Sequence, residues 1–214
     1  MFSNRIKLIA SYIDENDKVL DVGTDHALLP IYLVKNNITN LADGSDISEK
    51  VLDSAKRNVE EFGYKDIISL FISDGLKNIC VEKYNTLVVA GMGYSTIKNI
   101  LQSNKIDTIN KLILQSNNHV EDLRRFLNQI NYKIMSEDCL KDKSINYTLI
   151  VAEKGHQELS EEEYICGIYN SKNKWFYQES LEKIKNIKDA IKNNDSKIEE
   201  LNYKLSIYKD YVSR

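Results

Sequence analysis

A turn that carries two acids and a histidine follows a short apolar segment near the start of the chain. Asp21 lies just before Gly23, and Thr24, Asp25 and His26 follow it. In a protein that alternates strands and helices, such a turn lies at the carboxyl end of the first strand, where these sheets bind ligands. A histidine there is a candidate general base or hydrogen-bond donor, and a helix cap or a packing role is the alternative.

The glycine content of this turn discriminates between cofactors. A dinucleotide site needs three glycines spaced G-x-G-x-x-G, so that the backbone can approach a pyrophosphate. Only Gly23 is present here, and Asp25 occupies the position of the second glycine. A carboxylate repels a pyrophosphate but not a cationic cofactor without phosphates. The turn therefore disfavours a nicotinamide dinucleotide and favours S-adenosylmethionine, which carries a sulfonium and an amino group.

Two more acids follow predicted strands. Asp46 lies at the end of the second strand, about 20 residues after Gly23, where an acid accepts hydrogen bonds from ribose hydroxyls. This reading suits any adenosine cofactor, and the alternative is a cap for the next helix. Asp74 follows the third strand and could accept from an adenine amino group, with the Gly75 backbone beside the ring. Its alternative is an ordinary turn aspartate before glycine.

Glycines and amides follow the fourth and fifth strands. Gly91, Met92 and Gly93 come after the fully apolar run at residues 86–90, and glycines there let a planar base approach the backbone. The alternative is a tight turn without a catalytic role. Amide side chains at residues 115–118 follow the fifth strand, where they could read a base edge or form an ordinary capped loop.

These turns connect an alternating series of strands and helices. Hydrophobic periodicity predicts strands at residues 18–22, 40–45, 67–72, 86–90, 111–115, 132–138 and 146–153. Helices are predicted at residues 3–15, 29–36, 48–62, 95–102 and 120–130. The last two strands have no helix between them and read as an antiparallel pair. The pattern predicts an α/β fold with a seven-stranded, mostly parallel sheet and an antiparallel edge, as in class I methyltransferases, and another Rossmann-like enzyme is the alternative.

Composition narrows the class of protein. The chain has 214 residues, a net charge of −3, 42% hydrophobic and 29% charged residues. Its three cysteines are widely spaced, which indicates neither disulfides nor a zinc site, and we expect no bound metal. Residues 1–13 lack the apolar core of a signal peptide, and no run is long enough to cross a membrane. We therefore expect a cytoplasmic protein.

The character of the sequence changes after Gly155. Residues 1–155 form the predicted core domain, and residues 156–214 form a predicted helical domain. A capping box at 160–163 opens a helix, and a turn at 193–195 with a second capping box at 196–199 predicts a two-helix hairpin. Apolar residues occupy a and d positions of one heptad register at Ile184, Ile187, Ile191, Ile198, Leu201, Leu205, Tyr208 and Val212. We expect a monomer, with a coiled-coil dimer as the alternative.

The ordered motifs of the chain are similar to those of a known family. They are Asp-Val-Gly-Thr-Asp-His-Ala at 21–27, Ser-Asp-Ile-Ser at 45–48, Ser-Asp-Gly-Leu at 73–76, Ala-Gly-Met-Gly at 90–93 and Leu-Ile-Leu-Gln at 112–115. With the helical tail, the chain resembles the bacterial TrmK family of tRNA (adenine-N1)-methyltransferases, which act at position 22. The resemblance covers essentially the whole chain.

The resemblance implies methyl transfer from S-adenosylmethionine to N1 of a tRNA adenine. It implies cofactor contacts at Asp21, Gly23, Thr24, Asp25, Asp46, Ile47, Asp74, Gly75, Ala90, Gly91 and Met92. Adenine N1 has its own lone pair, so alignment would supply much of the catalysis. Asp25 would then stabilise the cationic product and His26 would manage the N6 proton, which makes these two residues the catalytic candidates.

The substrate side departs from the family at one position. The family typically has another glycine after Gly-Met-Gly, whereas this chain has Tyr94. The tyrosine either changes the shape of the mouth through which the substrate base would enter or stacks on that base. The substrate candidates in the core are Gly93, Tyr94, Gln115 and Asn117.

The tail offers lysines interleaved with aromatic side chains, which is a pattern that could contact RNA phosphates. The lysines are Lys172, Lys174, Lys183, Lys185, Lys188 and Lys192, around Trp175, Phe176 and Tyr177. Of these, Lys172, Lys174 and Lys183 are the substrate candidates, and a solvated helix face is the alternative. Two other functions stay open at this point: methyl transfer to a small molecule or protein, and RNA binding or cofactor sensing without catalysis.

Overall fold

The computed structural model describes residues 2–142, 145–191 and 194–214. Its strands are β1 Lys18–Val22, β2 Leu41–Asp46, β3 Leu70–Ile72, β4 Thr86–Met92, β5 Lys111–Ser116, β6 Tyr132–Asp142 and β7 Ile145–Lys154. They form a seven-stranded sheet with the order β3-β2-β1-β4-β5-β7-β6. Strand β7 runs antiparallel to its neighbours β5 and β6, and the other neighbouring pairs are parallel. The predicted fold class is confirmed.

Helices cover both faces of the sheet and extend beyond it. They are α1 Asn4–Ala10, α2 Leu28–Lys35, α3 Glu49–Glu61, α4 Tyr94–Leu101, α5 Val120–Gln129, α6 Glu161–Cys166, α7 Lys174–Ala190 and α8 Asp195–Ser213. Alternate residues of a strand enter different cores: Leu20 packs with α4 and α5, whereas Val19 packs with α1 and α2. Burial on both faces explains why the central strands are almost continuously apolar.

The tail helices have an apolar core of their own. Tyr177 and Leu181 of α7 pack against Leu205 and Tyr211 of α8, so the start of one helix meets the end of the other, as in a hairpin. The predicted capping box is confirmed, because the Ser160 side chain accepts from the N–H of Glu163 and the Glu163 side chain accepts from the N–H of Ser160.

A buried ion pair joins this tail to the sheet. Arg124 of α5 and Glu137 of β6 approach to 2.9 Å and are almost fully buried. Arg124 also donates to the backbone oxygens of Tyr164 and Ile165 in α6. Glu137 accepts from the N–H of Ile168, so both charges have partners on both sides of the junction. Breaking such a pair leaves an uncompensated buried charge, which costs about 3–5 kcal/mol.

Three predicted boundaries in the core are wrong by three residues or more. Strand β6 continues to Asp142 rather than ending at residue 138, and the other two have identifiable reasons. Helix α1 ends at Ala10 rather than at residue 15, because Asp14 and Asp17 form a polar turn in which an Asp17 carboxylate oxygen accepts from the N–H of Asp14. Strand β3 begins at Leu70 rather than at residue 67, because the N–H groups of Ile67 and Ile68 both donate to the Tyr64 carbonyl in a turn.

The tail also departs from its predicted pattern. The second capping box is wrong, since Asn194 is the N-cap of α8 and its side chain accepts from the N–H of Lys197. The single heptad register is wrong at Ile187, whose side chain is 42% exposed. Lys192 and Asn193 lie outside the described residues, so the lysine and the turn predicted there stay predictions.

Candidate active site

A cavity of about 650 Å³ opens at the carboxyl ends of β1 to β4 and is closed on one side by α4. Its walls include six of the predicted cofactor residues: Gly23, Asp46, Ile47, Asp74, Gly75 and Met92. The sheet order explains this gathering, because parallel neighbours bring the ends of distant segments to one edge.

Gly23 shapes the floor of this cavity. Its φ of +75° is a conformation that side chains disfavour, and a Cβ there would lie 2.1 Å from the Met92 methyl group. The N–H groups of Gly23 and Thr24 both donate to the Ser45 carbonyl, at 2.8 and 2.9 Å. The turn is thus tied to the end of β2, and the Met92 side chain fills the space that a larger residue at 23 would need.

Asp21 lies buried beneath the turn rather than in the cavity wall. Its carboxylate accepts from the Thr24 hydroxyl at 2.7 Å. Burial raises the pKa of Asp21 to about 6, while the Thr24 hydrogen bond and the charge of Arg5 act in the opposite direction. Burial disfavours the charged form of this carboxylate, so a cation that binds nearby stabilises that form.

Asp46 and Ile47 form the wall at the end of β2. One Asp46 carboxylate oxygen accepts from the N–H of Ser48 at 2.9 Å. The alternative that Asp46 is the helix cap is wrong, since Ser48 is the N-cap of α3. The Ile47 side chain is 68% exposed, which leaves an apolar surface available to a planar ring.

Asp74 and Gly75 form the wall at the end of β3. The Asp74 carboxylate pairs with Lys77 at 2.5 Å. Gly75 has a φ of +58°, and a Cβ there would lie 3.2 Å from the Ile100 side chain, so glycine lets α4 approach the turn. Among the described residues that line the cavity, Lys77 is the sole basic side chain, and Asp74 already neutralises it.

The mouth beside the cavity is built from backbone and amides after β4 and β5. Asn117 donates its N–H to the Met92 carbonyl and its side-chain amide to the Gly91 carbonyl, both at 2.8 Å. The Gln115 amide donates to the Asn117 side-chain oxygen at 3.0 Å. Ala90 is half-buried at the end of the same strand. These contacts fix Asn117 in place, so it defines the shape of the mouth.

Gly93 and Tyr94 begin the helix that borders this mouth. Gly93 is the N-cap of α4, and a Cβ there would lie 3.5 Å from the Asn118 side-chain oxygen. That oxygen accepts from the N–H of Tyr94 at 2.9 Å. The half-buried Tyr94 ring packs against the core, 6.4 Å from the His119 ring. Tyr94 therefore lies at the edge of the mouth and does not fill it.

Asp25 and His26 lie on the exposed rim of the turn. Their side chains are 70% and 52% exposed, and His26 Nε2 lies 3.6 Å from an Asp25 oxygen. Asp25 has a φ of +52°, which is uncommon for an aspartate. The His26 carbonyl accepts from the Asn58 amide at 2.9 Å. The backbone is thus held while both side chains face solvent, where a large substrate could reach them.

The three predicted substrate lysines of the tail lie on two elements. Lys172 lies in a short 3₁₀ turn at Ser171–Asn173, and Lys174 begins α7. Lys183 lies on the wall of a second cavity that Asn117 also lines. Of the three, Lys183 alone shares a wall with a predicted residue of the mouth. Tyr177, one of the aromatic residues predicted to accompany these lysines, is buried in the tail core.

Known proteins are similar to this chain in sequence and in structure. The family model described as "Methyltransferase domain" matches residues 2–150. The chain is 35% identical over 158 residues to the tRNA (adenine(22)-N(1))-methyltransferase of Bacillus subtilis. That alignment covers 73% of this chain and 66% of that enzyme, just under two thirds of its length.

Solved structures extend the similarity to the tail. TrmK from M. capricolum, in complex with the cofactor product S-adenosyl-homocysteine, has a TM-score of 0.87 and 31% identity, covering 100% of this chain and 98% of that one. This chain belongs to the TrmK family. The B. subtilis M1A22 tRNA methyltransferase TrmK has a TM-score of 0.84 and 27% identity, with 99% of both chains covered. The resemblance drawn from the sequence motifs is confirmed.

The structure brings a further side chain to the mouth that the sequence did not indicate. Arg5 of α1 lies with its guanidinium 3.4 Å from the Gln115 side-chain oxygen and 5.5 Å from the centre of the Tyr147 ring. A Cβ on Gly91 would lie 3.4 Å from the same guanidinium. The sequence gives no signal for this placement, because Arg5 reads as a polar position of an amphipathic helix, and packing across more than 100 residues brings it to the mouth.

Two further findings concern membrane-spanning helices and metal-binding groups. No helix among the described residues is long and apolar enough to cross a membrane. Within the same residues, no group of three or more histidine, cysteine, aspartate or glutamate side chains could hold a metal ion.

Proposed function

We propose that this chain transfers the methyl group of S-adenosyl-L-methionine to N1 of adenine 22 in tRNA. The observation that carries the proposal is an acid-lined cavity at the carboxyl ends of β1 to β4, beside a mouth of glycines and fixed amides, in a TrmK chain. The TrmK relatives act on tRNA at this adenine according to their names.

The cavity fits an adenosine cofactor that carries positive charge. Its volume of about 650 Å³ lies within the ~300–1,000 Å³ typical of small-molecule sites. Asp46 has one oxygen engaged by Ser48, which leaves its other oxygen for ribose hydroxyls. Asp74 and the Gly75 backbone would hold the adenine against Ile47. A dinucleotide would place phosphates among these acids, with Lys77 already paired, so the electrostatics favour the sulfonium cofactor.

The proposed mechanism relies on alignment and charge rather than on a base. When bound, S-adenosyl-L-methionine supplies an electrophilic methyl group. Neutral adenine carries a lone pair on N1, so no side chain has to remove a proton before the attack, and a fixed mouth at Gly91 and Asn117 aligns it. The product is a cation, which the carboxylate of Asp25 would stabilise. His26 is assigned the exocyclic N6 group, where it would accept or donate a hydrogen bond.

Radiolabel transfer tests the proposal directly. The purified chain is incubated with methyl-labelled S-adenosyl-L-methionine and unmodified bacterial tRNA, and the nucleosides are then separated. We expect label in N1-methyladenosine and its loss when the matched tRNA carries guanine at position 22. Retained cofactor binding without label in any tRNA would contradict the proposal and favour a non-catalytic role.

The proposal also covers the organisation of the chain. Residues 1–155 form the methyltransferase domain, and residues 156–214 form a helical domain that contacts tRNA; the separate apolar core of α6 to α8 supports this division. The chain is proposed to act as a monomer in the cytoplasm. Sedimentation with and without tRNA separates a monomer from a dimer formed through the helical domain.

A further inference from the structure

A second cavity lies next to the mouth and has no role in the mechanism above. Its volume is about 360 Å³, and it is bounded by the end of β5, the start of α5, strand β7 and helix α7. Asn117 forms part of its wall and also donates to the Gly91 carbonyl at the mouth. A ligand in this cavity would therefore lie directly beside the group that occupies the mouth.

The walls of this cavity combine an aromatic ring, polar groups and a cation. Phe176 and Lys183 come from α7, and Asn146 and Thr148 come from β7. Lys183 makes no ion pair within the part of the chain that the structure describes, so its charge is available to a ligand. A ring for stacking, polar groups for hydrogen bonds and an ammonium for a phosphate are the three elements that single-stranded nucleic acid sites share.

One carboxylate in the wall is already neutralised. Glu179 pairs with Lys141 at 2.5 Å and accepts from the Asn146 amide at 2.9 Å. These hydrogen bonds hold the pKa of Glu179 below its ordinary value, so the pair stays ionised at neutral pH. Lys141 offsets the negative charge of Glu179, and the neighbouring Lys183 then gives the cavity a net attraction for an anion.

From these contacts, we infer that the second cavity is a subsite for the nucleotide adjacent to the methylated adenine, with its base on Phe176 and its phosphate on Lys183. The inference rests on the proposed function and deepens it, because it assigns a second nucleotide contact to the same RNA. Asn117 forms the partition between the two nucleotides. The subsite would hold the target strand open, since this partition keeps the base on Phe176 apart from the target adenine.

The first test compares two lysines of one helix. Lys183→Ala removes the cation of the subsite, whereas Lys188→Ala makes the same charge change on α7 away from the cavity walls. We expect Lys183→Ala to raise the KM for tRNA at least about fivefold with little change in kcat, and to reduce the salt slope of tRNA binding by about 1. Affinity for S-adenosyl-L-methionine should not change in either variant.

The outcomes separate this inference from the proposed function. Equal KM values for Lys183→Ala and Lys188→Ala would overturn the subsite, provided that the wild-type chain methylates tRNA. Absence of methylation by the wild-type chain would instead refute the proposed function, and tRNA affinity would then be compared by filter binding for the same two variants. A lower affinity of Lys183→Ala alone supports the subsite in that assay too.

The second test asks whether Phe176 contacts a base. Phe176→Leu keeps an apolar side chain in the wall but removes the ring, so we expect a rise in the tRNA KM of about fivefold or more. The same KM values are then measured with tRNA that has an abasic nucleotide at position 21 and with tRNA that has one at position 23. In one of these two RNAs, Phe176→Leu and wild type should have the same KM. A difference that persists in both abasic RNAs would show a structural effect of Phe176 and overturn the base contact.

Discussion

The buried carboxylate of Asp21 makes a prediction about stability that can be worked out from its surroundings. Burial raises the pKa of Asp21 from an ordinary 3.8 to about 6. The folded chain thus binds this proton more tightly than the unfolded chain, so stability falls as the pH rises from about 4 to 6 and then stays level. About two pKa units correspond to about 3 kcal/mol at pH 7.5.

Asp21→Asn removes this cost while keeping an acceptor for the Thr24 hydroxyl. We expect the variant to be more stable than wild type by up to about 3 kcal/mol at pH 7.5, and by less than about 1 kcal/mol at pH 4. Urea unfolding followed by circular dichroism at both pH values measures the two differences. The variant should also lose affinity for the sulfonium cofactor more than for S-adenosyl-homocysteine, which lacks that charge.

A second buried carboxylate provides the control. Asp17 accepts from Lys111 at 2.7 Å and from the Thr86 hydroxyl at 2.6 Å, so its charge is well paired. Asp17→Asn should therefore destabilise the chain by about 1–3 kcal/mol. An Asp21→Asn variant that is less stable than wild type at pH 7.5, or that gains equally at pH 4, would refute the reasoning.

Three further changes have defined outcomes. Gly23→Ala should weaken cofactor binding in calorimetry, because its Cβ would displace the Met92 methyl group, which lines the cavity. Gly63→Ala, which has a similar φ of +78° and open space, should cost only about 1 kcal/mol and leave binding intact. His26→Ala should lower kcat more than cofactor affinity, and unchanged turnover would remove His26 from the mechanism. Arg124→Leu should cost about 3–5 kcal/mol in urea unfolding, and a loss below 1 kcal/mol would contradict the role of the buried pair.

Local patterns were enough to predict the sheet and one side of the site. Short apolar runs mark β1, β4 and β5 within a residue or two of their ends, and acids or glycines follow most of the strands. The acids at residues 46 and 74 line the cavity, because a parallel sheet must bring successive strand ends to one edge. These features depend on short-range sequence, so no knowledge of packing was needed.

Features that depend on packing between distant segments could not be predicted. Arg5 reaches the mouth because α1 lies across the sheet, and Asn117 is fixed by carbonyls of another strand. The exposure of Ile187 has the same origin, since α7 uses Tyr177 and Leu181 to build the tail core and leaves part of its apolar stripe uncovered. Heptad spacing alone does not show which face a helix buries.

The buried pair of Arg124 and Glu137 has a consequence for how a nucleotide is selected. Because this pair fixes the tail to the sheet, the distance from Lys183 to the mouth is set by the protein and not by the RNA. If the second cavity holds the nucleotide next to the target adenine, we expect the RNA to bind only where these two neighbours can be held apart at that fixed distance. Adenines within a continuously stacked helix would then be poor substrates, whatever the bases around them.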